Sequence, residues 1–474
     1  MTNHLKDFIY KMFHNLLSAI IIFWSVNTYA NQHNIILILS DDQSWAGLSV
    51  KMDPSIKLSR SLYDHTPNLE ILSKQGVIFS NAYAPSPVCS PTRISIQTGK
   101  TPARLNWTKA EPFYNESDKF YLIPPKHEKN IKGNELTIGE ALRAKNYYTA
   151  HFGKWHLSGG GPVNHGYIYS DGDIGNKYAS KYKDPNPVDL FGMRDRAKLF
   201  LEKSKKDGRN FFMQLSFHAL HYPQNALKKT KAKYKEKFKD IKNTKLINRI
   251  ALNENMDTAI GEVLDHLRFL DLEKNTYIIF MSDNGAGGRN GILKGGKGSL
   301  FEGGIRVPFI IKGPNIPKNQ INKTPIIGYD LMPTFMKIAG YQNIPENIDG
   351  TNILEIFDKN FKSLNRNTTG LIFHFPHYQG EYNPQSAIIK DSWKLIKYYD
   401  GKQPSLFNLN LDINEEINLF NNKPTLGNSL INELENYLEQ VNASFPIINP
   451  NYDKNSITNM KNKNRKNKTL FLSN

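Results

Sequence analysis

The sequence predicts an α/β fold with a mostly parallel sheet between helices. Four apolar segments rich in strand-forming residues each run into polar residues, and helical patterns lie between them. Near-continuous apolar strands suit a sheet covered on both faces, and strands that alternate with helices favour parallel pairing. The four segments are Asn34–Ser40, Tyr148–Gly153, Phe211–Phe217 and Thr276–Ser282.

Two helices are predicted from the spacing of apolar residues. One covers Glu135–Lys145, and the other carries a single apolar stripe at helical spacing. The stripe consists of Met256, Ile260, Val263, Leu264 and Leu267. Because helices then separate the strands along the chain, we expect them to cover the two faces of the sheet.

The pattern changes after about residue 365. Short strands are predicted at Ser386–Ile389, Trp393–Tyr399 and Ser405–Asn410, with a turn at Asp400-Gly401 and a helix near Asn428–Val441. We expect a larger domain over residues 31–365 and a smaller α+β subdomain with an antiparallel sheet over 366–450. Residues 451–474 carry six basic residues and one acidic residue and are predicted to form a basic, mobile tail.

The N-terminus is typical of a secretory signal peptide. Lys6 and Lys11 precede the apolar run Leu16–Val26, and Ala30 follows as a small residue for cleavage. This run is too short for an ordinary membrane span, although a retained N-terminal anchor is the alternative. We therefore expect residues 1–30 to be removed, with no stable membrane insertion afterwards, and the mature chain to be periplasmic or secreted.

Composition limits the function classes. The chain has 474 residues, of which 39% are hydrophobic, and this excludes a wholly disordered protein. Its single cysteine excludes a disulfide within the chain and a multi-cysteine metal site. The formal charge of +17 favours anionic partners, and the export signal argues against nucleic acid among them.

Polar residues at the strand ends predict one shared site, because ligands of such sheets bind beyond the carboxyl ends of the strands. Asp41 and Asp42 follow the first strand, and Asp283 and Asn284 follow the fourth. Their oxygens suit a hard divalent cation such as Ca²⁺. An acidic pair after a strand is also a common helix cap, which is the alternative.

Basic and nucleophilic side chains accompany the other strands. Lys154 and His156 flank a tryptophan, so an extended chain would point both to one side. His218 and His221 follow the third strand. Cys89 precedes Pro91, a good first residue for a helix, so the sulfur is expected just before a helix N-terminus, where an anion is favoured. A buried, inert cysteine is the alternative.

The segment Cys89-Ser-Pro-Thr-Arg93, followed by Thr98-Gly99, resembles the signature of the type I sulfatases, which belong to the alkaline-phosphatase-like superfamily. The resemblance extends from Asn34 to about Phe420. It departs from the family pattern at Gln97, where an apolar residue is usual, and we expect this to affect helix packing and not the chemistry. Further matching segments are NIILILSDDQ, GKWHL, HALHYP, SDNG, GGKGSLFEGGIRVP, DLMPTFMKIAG and SAIIKDSWKLI.

The resemblance implies an alkaline-phosphatase-like sheet and a role for each matching residue. In this family the cysteine, here Cys89, is converted to formylglycine (3-oxoalanine) by a formylglycine-generating or anaerobic sulfatase-maturating enzyme. The implied Ca²⁺ ligands are Asp41, Asp42, Asp283, Asn284 and the formylglycine itself. The other implied roles are support of the formylglycine by Arg93, sulfate binding by Lys154 and Lys297, and proton transfer by His156 and His221.

Three further histidines are candidates for substrate binding. His218 is either structural or an outer residue of the site. His374 and His377 lie in a segment that resembles the sugar-binding part of polysaccharide sulfatases.

The sequence thus predicts an exported sulfatase acting on a carbohydrate O-sulfate of a sulfated polysaccharide. The basic run Lys228–Lys245 is either a solvated helix face or a surface that steers a polyanion. Two alternatives stay open at this point: a phosphoester or phosphonate hydrolase of the same superfamily, and a non-catalytic binder of sulfated glycans.

Overall fold

The computed structural model describes residues 32–110, 120–288 and 290–452. The predicted leader and nearly all of the predicted basic tail therefore lie outside the described residues. Within these ranges, no helix combines the length and the apolar character that a membrane span requires.

The described residues form sixteen strands and nine α-helices. The strands are β1 Asn34–Ser40, β2 Val77–Phe79, β3 Ala82–Tyr83, β4 Leu122–Ile123, β5 Tyr148–Gly153, β6 Tyr169–Ser170, β7 Phe211–Ser216, β8 Thr276–Ser282, β9 Phe309–Lys312, β10 Gln320–Asn322, β11 Ile326–Ile327, β12 Leu371–Phe375, β13 Gln385–Lys390, β14 Trp393–Tyr398, β15 Ser405–Asn408 and β16 Ile447–Ile448. The helices are α1 Pro67–Lys74, α2 Cys89–Thr98, α3 Ile138–Ala144, α4 Leu190–Lys206, α5 Lys228–Lys237, α6 Thr244–Phe269, α7 Glu302–Ile305, α8 Leu331–Ile338 and α9 Pro424–Gln440.

The central sheet has eight strands in the order β10-β2-β9-β8-β1-β7-β5-β6. The four strands predicted from the sequence are its middle, β8-β1-β7-β5, and they pair in parallel. β9 alone runs antiparallel to both of its neighbours. The predicted α/β fold with a mostly parallel sheet is therefore confirmed.

Helices cover both faces of this sheet, as the continuous apolar strands predict. In β1, Ile36 and Ile38 pack against one face together with α4 and α6. Ile35, Leu37 and Leu39 point to the other face and pack with α2 and α8. Alternate residues of β1 are thus buried under different helix layers. Because neither face of the strand is exposed to solvent, the strand does not need polar residues at every second position.

Two predicted helix starts are shifted in the structure. α3 begins at Ile138 and not at Glu135, because Thr137 and Glu140 form a capping box in which each side chain accepts from the other residue's backbone N–H. α2 begins at Cys89 and not at Pro91. Proline is tolerated in the first turn, since its missing N–H would have no helical partner there.

A four-stranded antiparallel sheet, β12-β13-β14-β15, follows the central sheet in the chain. The three strands predicted here are found as β13, β14 and β15, whereas β12 was not predicted. One face of this sheet packs against residues of the larger part, including Tyr83 and Leu300. α9 covers the other face through Leu430 and Leu434.

A buried charge network joins the antiparallel sheet to α7. Lys394 of β14 donates to Glu302 of α7 and contacts Glu415, with N–O distances of 2.8 Å in both cases, and all three side chains are fully buried. The other oxygen of Glu302 accepts from Arg306 and from the hydroxyl of Tyr83. The antiparallel sheet is therefore tied by charge to the segment that contains α7.

A second buried polar network lies behind α2. Gln97 donates to the Oε1 atom of Gln214 in β7 at 2.8 Å, and the hydroxyl of Tyr167 donates to Gln97 at 2.8 Å. Gln214 in turn donates to Ser216 at 2.9 Å. The departure from the family pattern at Gln97 is thus matched by a polar residue on the strand beneath it.

We expect Lys394→Met to lower the free energy of unfolding by about 3–5 kcal/mol, because it leaves two carboxylates buried without their shared cation. Denaturant unfolding followed by circular dichroism measures this loss. The matched control is Lys390→Met in the adjacent strand β13, where the ion pair with Glu433 is 39% exposed on the lysine side and is worth less than about 1 kcal/mol. Equal losses in the two variants would contradict this assignment.

We expect Gln97→Leu to destabilise the fold by about 1–3 kcal/mol, because Gln214 and Tyr167 each lose a buried partner. The triple variant Gln97→Leu, Tyr167→Phe and Gln214→Leu should recover much of the loss, since it removes the unmatched polar atoms of Gln214 and Tyr167. The hydroxyl of Ser216, which loses the donor Gln214, keeps His151 Nε2 as a neighbour at 3.3 Å. Melting temperatures of the two variants decide between the outcomes. A triple variant less stable than the single one would show that the network is not the cause.

Candidate active site

The carboxyl ends of three central strands bring the predicted polar residues together. Asp41 and Asp42 follow β1, Lys154 follows β5, and Asp283 and Asn284 follow β8. The backbone of this edge is fixed by hydrogen bonds between neighbouring strand ends. Asp283 N–H donates to Ser40 O at 3.1 Å and Lys154 N–H donates to Ser216 O at 2.8 Å.

Cys89 reaches this edge from the first turn of α2. Its sulfur lies 3.5 Å from Asp41 Oδ1 and 3.9 Å from Asp42 Oδ1, and Lys297 Nζ lies 3.4 Å from it. The side chain is buried. Burial, followed by the charges of Asp283 and Asp41, raises the pKa of the thiol, so the unmodified sulfur is a neutral thiol at physiological pH.

Four oxygen-bearing residues surround one point beside the sulfur. Ligand atoms of Asp41, Asp42, Asp283 and Cys89 all lie within 4.8 Å of one another. Asn284 donates to Asp42 Oδ1 at 2.7 Å, while its own Oδ1 is buried and accepts no hydrogen bond in the described part of the chain. Three carboxylates and an amide oxygen without a donor fit a hard divalent cation such as Ca²⁺.

Three basic side chains neutralise these carboxylates. Arg93 donates to Asp283 Oδ2 through Nε at 3.0 Å and Nη2 at 2.7 Å, and to the backbone oxygen of Lys154 at 2.7 Å. Lys154 Nζ lies 2.5 Å from Asp41 and Lys297 Nζ lies 2.7 Å from Asp42. Each of the three carboxylates in the site is therefore in direct contact with a basic side chain.

The two buried aspartates have different electrostatic surroundings. Burial alone would raise the pKa of Asp41, but Lys154, His221 and Arg93 hold this pKa well below its usual value. The pKa of Asp283 is raised by burial and by the nearby charge of Asp41, against the opposing effect of Arg93. Asp41 is thus the more firmly ionised of the pair.

His218 and His221 lie on the loop after β7. His221 is partly exposed, and its Nδ1 pairs with Tyr222 O at 2.7 Å. His218 is buried and stacked on Tyr178 at a ring distance of 6.2 Å. Burial and the charge of Lys154 lower the pKa of His218 to about 3, so the imidazole is neutral at physiological pH.

The backbone around His156 differs from the expectation. The prediction assumed an extended chain from Lys154 to His156, but His156 has a left-handed φ of 61°. The N–H groups of Trp155 and His156 both donate to Ile174 O, at 2.9 and 3.0 Å. The assumption of simple alternation is therefore wrong, because this loop turns immediately after β5.

The structure does not bring His374 and His377 into the Cys89 cluster through any contact among the described residues. Both ring nitrogens of His374 are engaged, Nδ1 with Ser386 at 2.7 Å and Nε2 with Ser444 O at 3.0 Å. His377 Nε2 pairs with Thr108 at 2.8 Å. Both side chains are buried, and their role in sugar binding stays a prediction.

Sequence reasoning missed Lys109 and Gln379. Lys109 is buried and donates to Gln379 Oε1 at 2.6 Å and to Tyr378 O at 2.7 Å. Gln379 occupies the space that a side chain on Gly298 would need, directly after Lys297. No local pattern marks either residue, because the contact joins segments 270 residues apart.

The sulfatase family model matches residues 33–341, and a model for the C-terminal part of N-sulphoglucosamine sulphohydrolase matches residues 296–444. The ulvan-active sulfatase of Formosa agariphila is 28% identical over 87% of this chain and 82% of its own length. Human N-acetylgalactosamine-6-sulfatase is 27% identical over 68% and 65%.

Solved structures agree with the family match. The crystal structure of Ps i-CgsB in complex with k-i-k-neocarrahexaose aligns with a TM-score of 0.72 at 26% identity, covering 86% of this chain and 93% of that one. The chain therefore belongs to the sulfatase family and is a sulfuric ester hydrolase.

Proposed function

We propose that this protein is an exported sulfatase that removes a sulfate ester from a sulfated polysaccharide or its oligosaccharides, using a formylglycine derived from Cys89 and a bound Ca²⁺. The observation that carries the proposal is the position of the Cys89 sulfur. It lies at the start of α2, within reach of three carboxylates and of Lys297. A buried structural cysteine would have no need of these neighbours.

The two absent groups would supply the chemistry that the unmodified side chains lack. Formylglycine supplies a hydrated aldehyde as nucleophile and a route for expelling sulfate, and Ca²⁺ supplies positive charge for the sulfate oxygens. Asp41, Asp42, Asp283 and Asn284 would hold the cation beside residue 89. The modification requires a formylglycine-generating or anaerobic sulfatase-maturating enzyme as partner.

The chain's own residues bind the sulfate group and move the protons. Lys154 and Lys297 bind the sulfate oxygens, where negative charge develops in the transition state. His221 donates a proton to the leaving alcohol, and its partial exposure suits contact with a bulky substrate. His156 accepts the proton released when residue 89 is regenerated. Arg93 fixes Asp283 and, through the oxygen of Lys154, the loop after β5.

The names of a relative and of a similar solved structure support a carbohydrate as the carrier of the sulfate ester. One relative is named an ulvan-active sulfatase, and a similar structure was solved with a neocarrahexaose. The predicted sugar-binding residues His218, His374 and His377 belong to this proposal. So do the signal peptide over residues 1–30, the division into 31–365 and 366–450, and a periplasmic or secreted location.

We expect Cys89→Ala to abolish sulfate release while leaving the melting temperature nearly unchanged, because the residue supplies the nucleophile and only a small part of the core. The assay measures sulfate released from a panel of sulfated mono-, oligo- and polysaccharides by protein coexpressed with a maturating enzyme. Peptide mass spectrometry of the wild type should show loss of the Cys89 sulfur.

Three results would contradict the proposal. Wild-type turnover by Cys89→Ala would exclude residue 89 as nucleophile. Faster hydrolysis of matched phosphate or phosphonate esters would identify a phosphoester or phosphonate hydrolase. Binding of the panel without release, by coexpressed protein whose Cys89 keeps its sulfur in the peptide mass spectrum, would identify a non-catalytic binder.

We expect chelation with EGTA to lower both turnover and the melting temperature, and added Ca²⁺ to restore both. Without the cation the three carboxylates repel one another, and a ligand that binds only the folded state stabilises it. Calorimetry of the Cys89→Ala variant gives the stability readout independently of turnover. Asn284→Leu should reduce the Ca²⁺-dependent rise in melting temperature, whereas an unchanged rise would exclude the cation from this site.

A further inference from the structure

We propose that an exposed basic surface beside the active site binds the polyanionic chain that carries the reacting ester. This surface, called the lysine surface below, consists of Lys177, Lys181, Lys183, Lys228 and Lys229, all of them exposed. The inference rests on the proposed function, which supplies a sulfated polysaccharide as substrate. It adds a binding region for the sulfates that are not being hydrolysed.

The lysine surface begins at the active site. The 3-10 segment Asn176–Lys181 carries Tyr178, whose ring stacks on His218. Lys181 Nζ lies 3.7 Å from the centre of the Tyr178 ring. Gly175, directly before this segment, lies against His156, since a side chain there would meet the imidazole at 3.8 Å. His218 therefore stacks on the segment that carries Lys177 and Lys181, and His156 lies close to Gly175 just before that segment.

Hydrogen bonds connect this segment to the start of α5. The N–H of Lys228 donates to Asp184 Oδ1 at 3.2 Å, and Asn225 Nδ2 donates to Tyr182 O at 3.5 Å. Lys183 lies between these two contacts in the chain. The five lysines therefore belong to one continuous part of the molecule, which leads from the histidine loop to α5.

The lysine surface keeps an excess of positive charge, although the acidic Asp184 follows Lys183 and accepts from the backbone N–H of Lys228. Among the described residues, no ion pair involves any of its five members, whereas Lys233 pairs with Glu254 and Lys239 with Glu236 further along. The run Lys228–Lys245 that continues it has nine lysines and two acidic residues. Neighbouring cations of this kind raise the local concentration of a polyanion and its rate of association.

Packing does not explain why α5 has this composition. Only Thr230 and Tyr234 of its ten residues are buried, and six of the ten are lysines. A helix with so little buried surface gains little stability from the core, and lysines spaced along it repel one another. A bound chain of sulfates would remove that repulsion, and the spread of lysines over two segments suits an extended ligand better than a single anion.

The test compares two triple variants with equal charge change. Lys183→Glu, Lys228→Glu and Lys229→Glu reverse part of the lysine surface without touching the proposed catalytic residues. Lys318→Glu, Lys359→Glu and Lys362→Glu are the control, because these lysines are also exposed and unpaired among the described residues but lie outside the surface. KM and kcat are measured at low and high salt on the sulfated polysaccharide that is cleaved and on its smallest cleaved fragment.

We expect the first variant to raise KM for the polysaccharide about tenfold at low salt, with kcat and the kinetics on the fragment unchanged. The difference from the control should shrink at high salt, because salt screens exposed charges. Equal KM values for the two variants on the polysaccharide would overturn the inference. If the wild type, shown to carry formylglycine, released sulfate from no member of the sulfated panel, that result would instead count against the proposed function.

Discussion

The mutual neutralisation of buried charges around Cys89 is the interaction on which the site depends. Asp41, Asp283, Arg93 and Lys154 are almost completely removed from water, and an isolated buried charge costs several kcal/mol. The cost is offset only where opposite charges are in contact. Arg93 therefore has to lie in contact with Asp41 and Asp283, at the ends of β1 and β8. Because Arg93 belongs to α2, this requirement constrains the position of the helix that begins at Cys89.

The antiparallel sheet contributes to this arrangement from a distance. The backbone oxygen of Lys294 accepts from the N–H of Gly303 in α7 at 2.8 Å, which fastens the loop that carries Lys297 to the start of α7. Within the loop, the backbone oxygen of Gly295 accepts from the side-chain amide of Asn290 at 3.2 Å. Glu302 of α7 is held by Lys394 of the second sheet. The loop that carries Lys297, whose Nζ lies beside the Cys89 sulfur, is thus linked to the antiparallel sheet through α7 and the ion pair of Glu302 with Lys394.

The sequence predicts the elements whose signal is local and misses those set by distant contacts. The four central strands are predicted almost to the residue, because each is a continuous apolar run. The sequence does not predict β12, because His374 interrupts its apolar run and finds its buried partners, Ser386 and Ser444, elsewhere in the chain. The pairing of Gln97 with Gln214 was also missed, since the two polar residues lie on different elements and each alone looks like an exception.

The site residues also divide into those that a local pattern predicts and those whose positions depend on the folded structure. Asp41, Asp42, Asp283 and Asn284 could be brought to one edge by the rule for parallel strand ends, without any knowledge of side-chain geometry. The orientation of His156 could not, because a left-handed residue after β5 breaks the alternation that the prediction assumed. Lys109 could not either, because its partners arise from a contact across most of the chain.

The balance of charge within the site has a consequence for substrate capture. Because three carboxylates are paired with three basic groups, their electric fields largely cancel beyond a few ångströms. The cluster by itself therefore attracts an anion only weakly at long range. A bound divalent cation would add local charge, but it would lie among buried groups. Attraction over the distance of a Debye length, about 8 Å at physiological salt, must then come from exposed lysines that have no acidic partner. In the proposed function, recognition of one sulfate and capture of a polyanionic chain are thus separate electrostatic tasks, the first for the buried cluster and the second for the lysine surface.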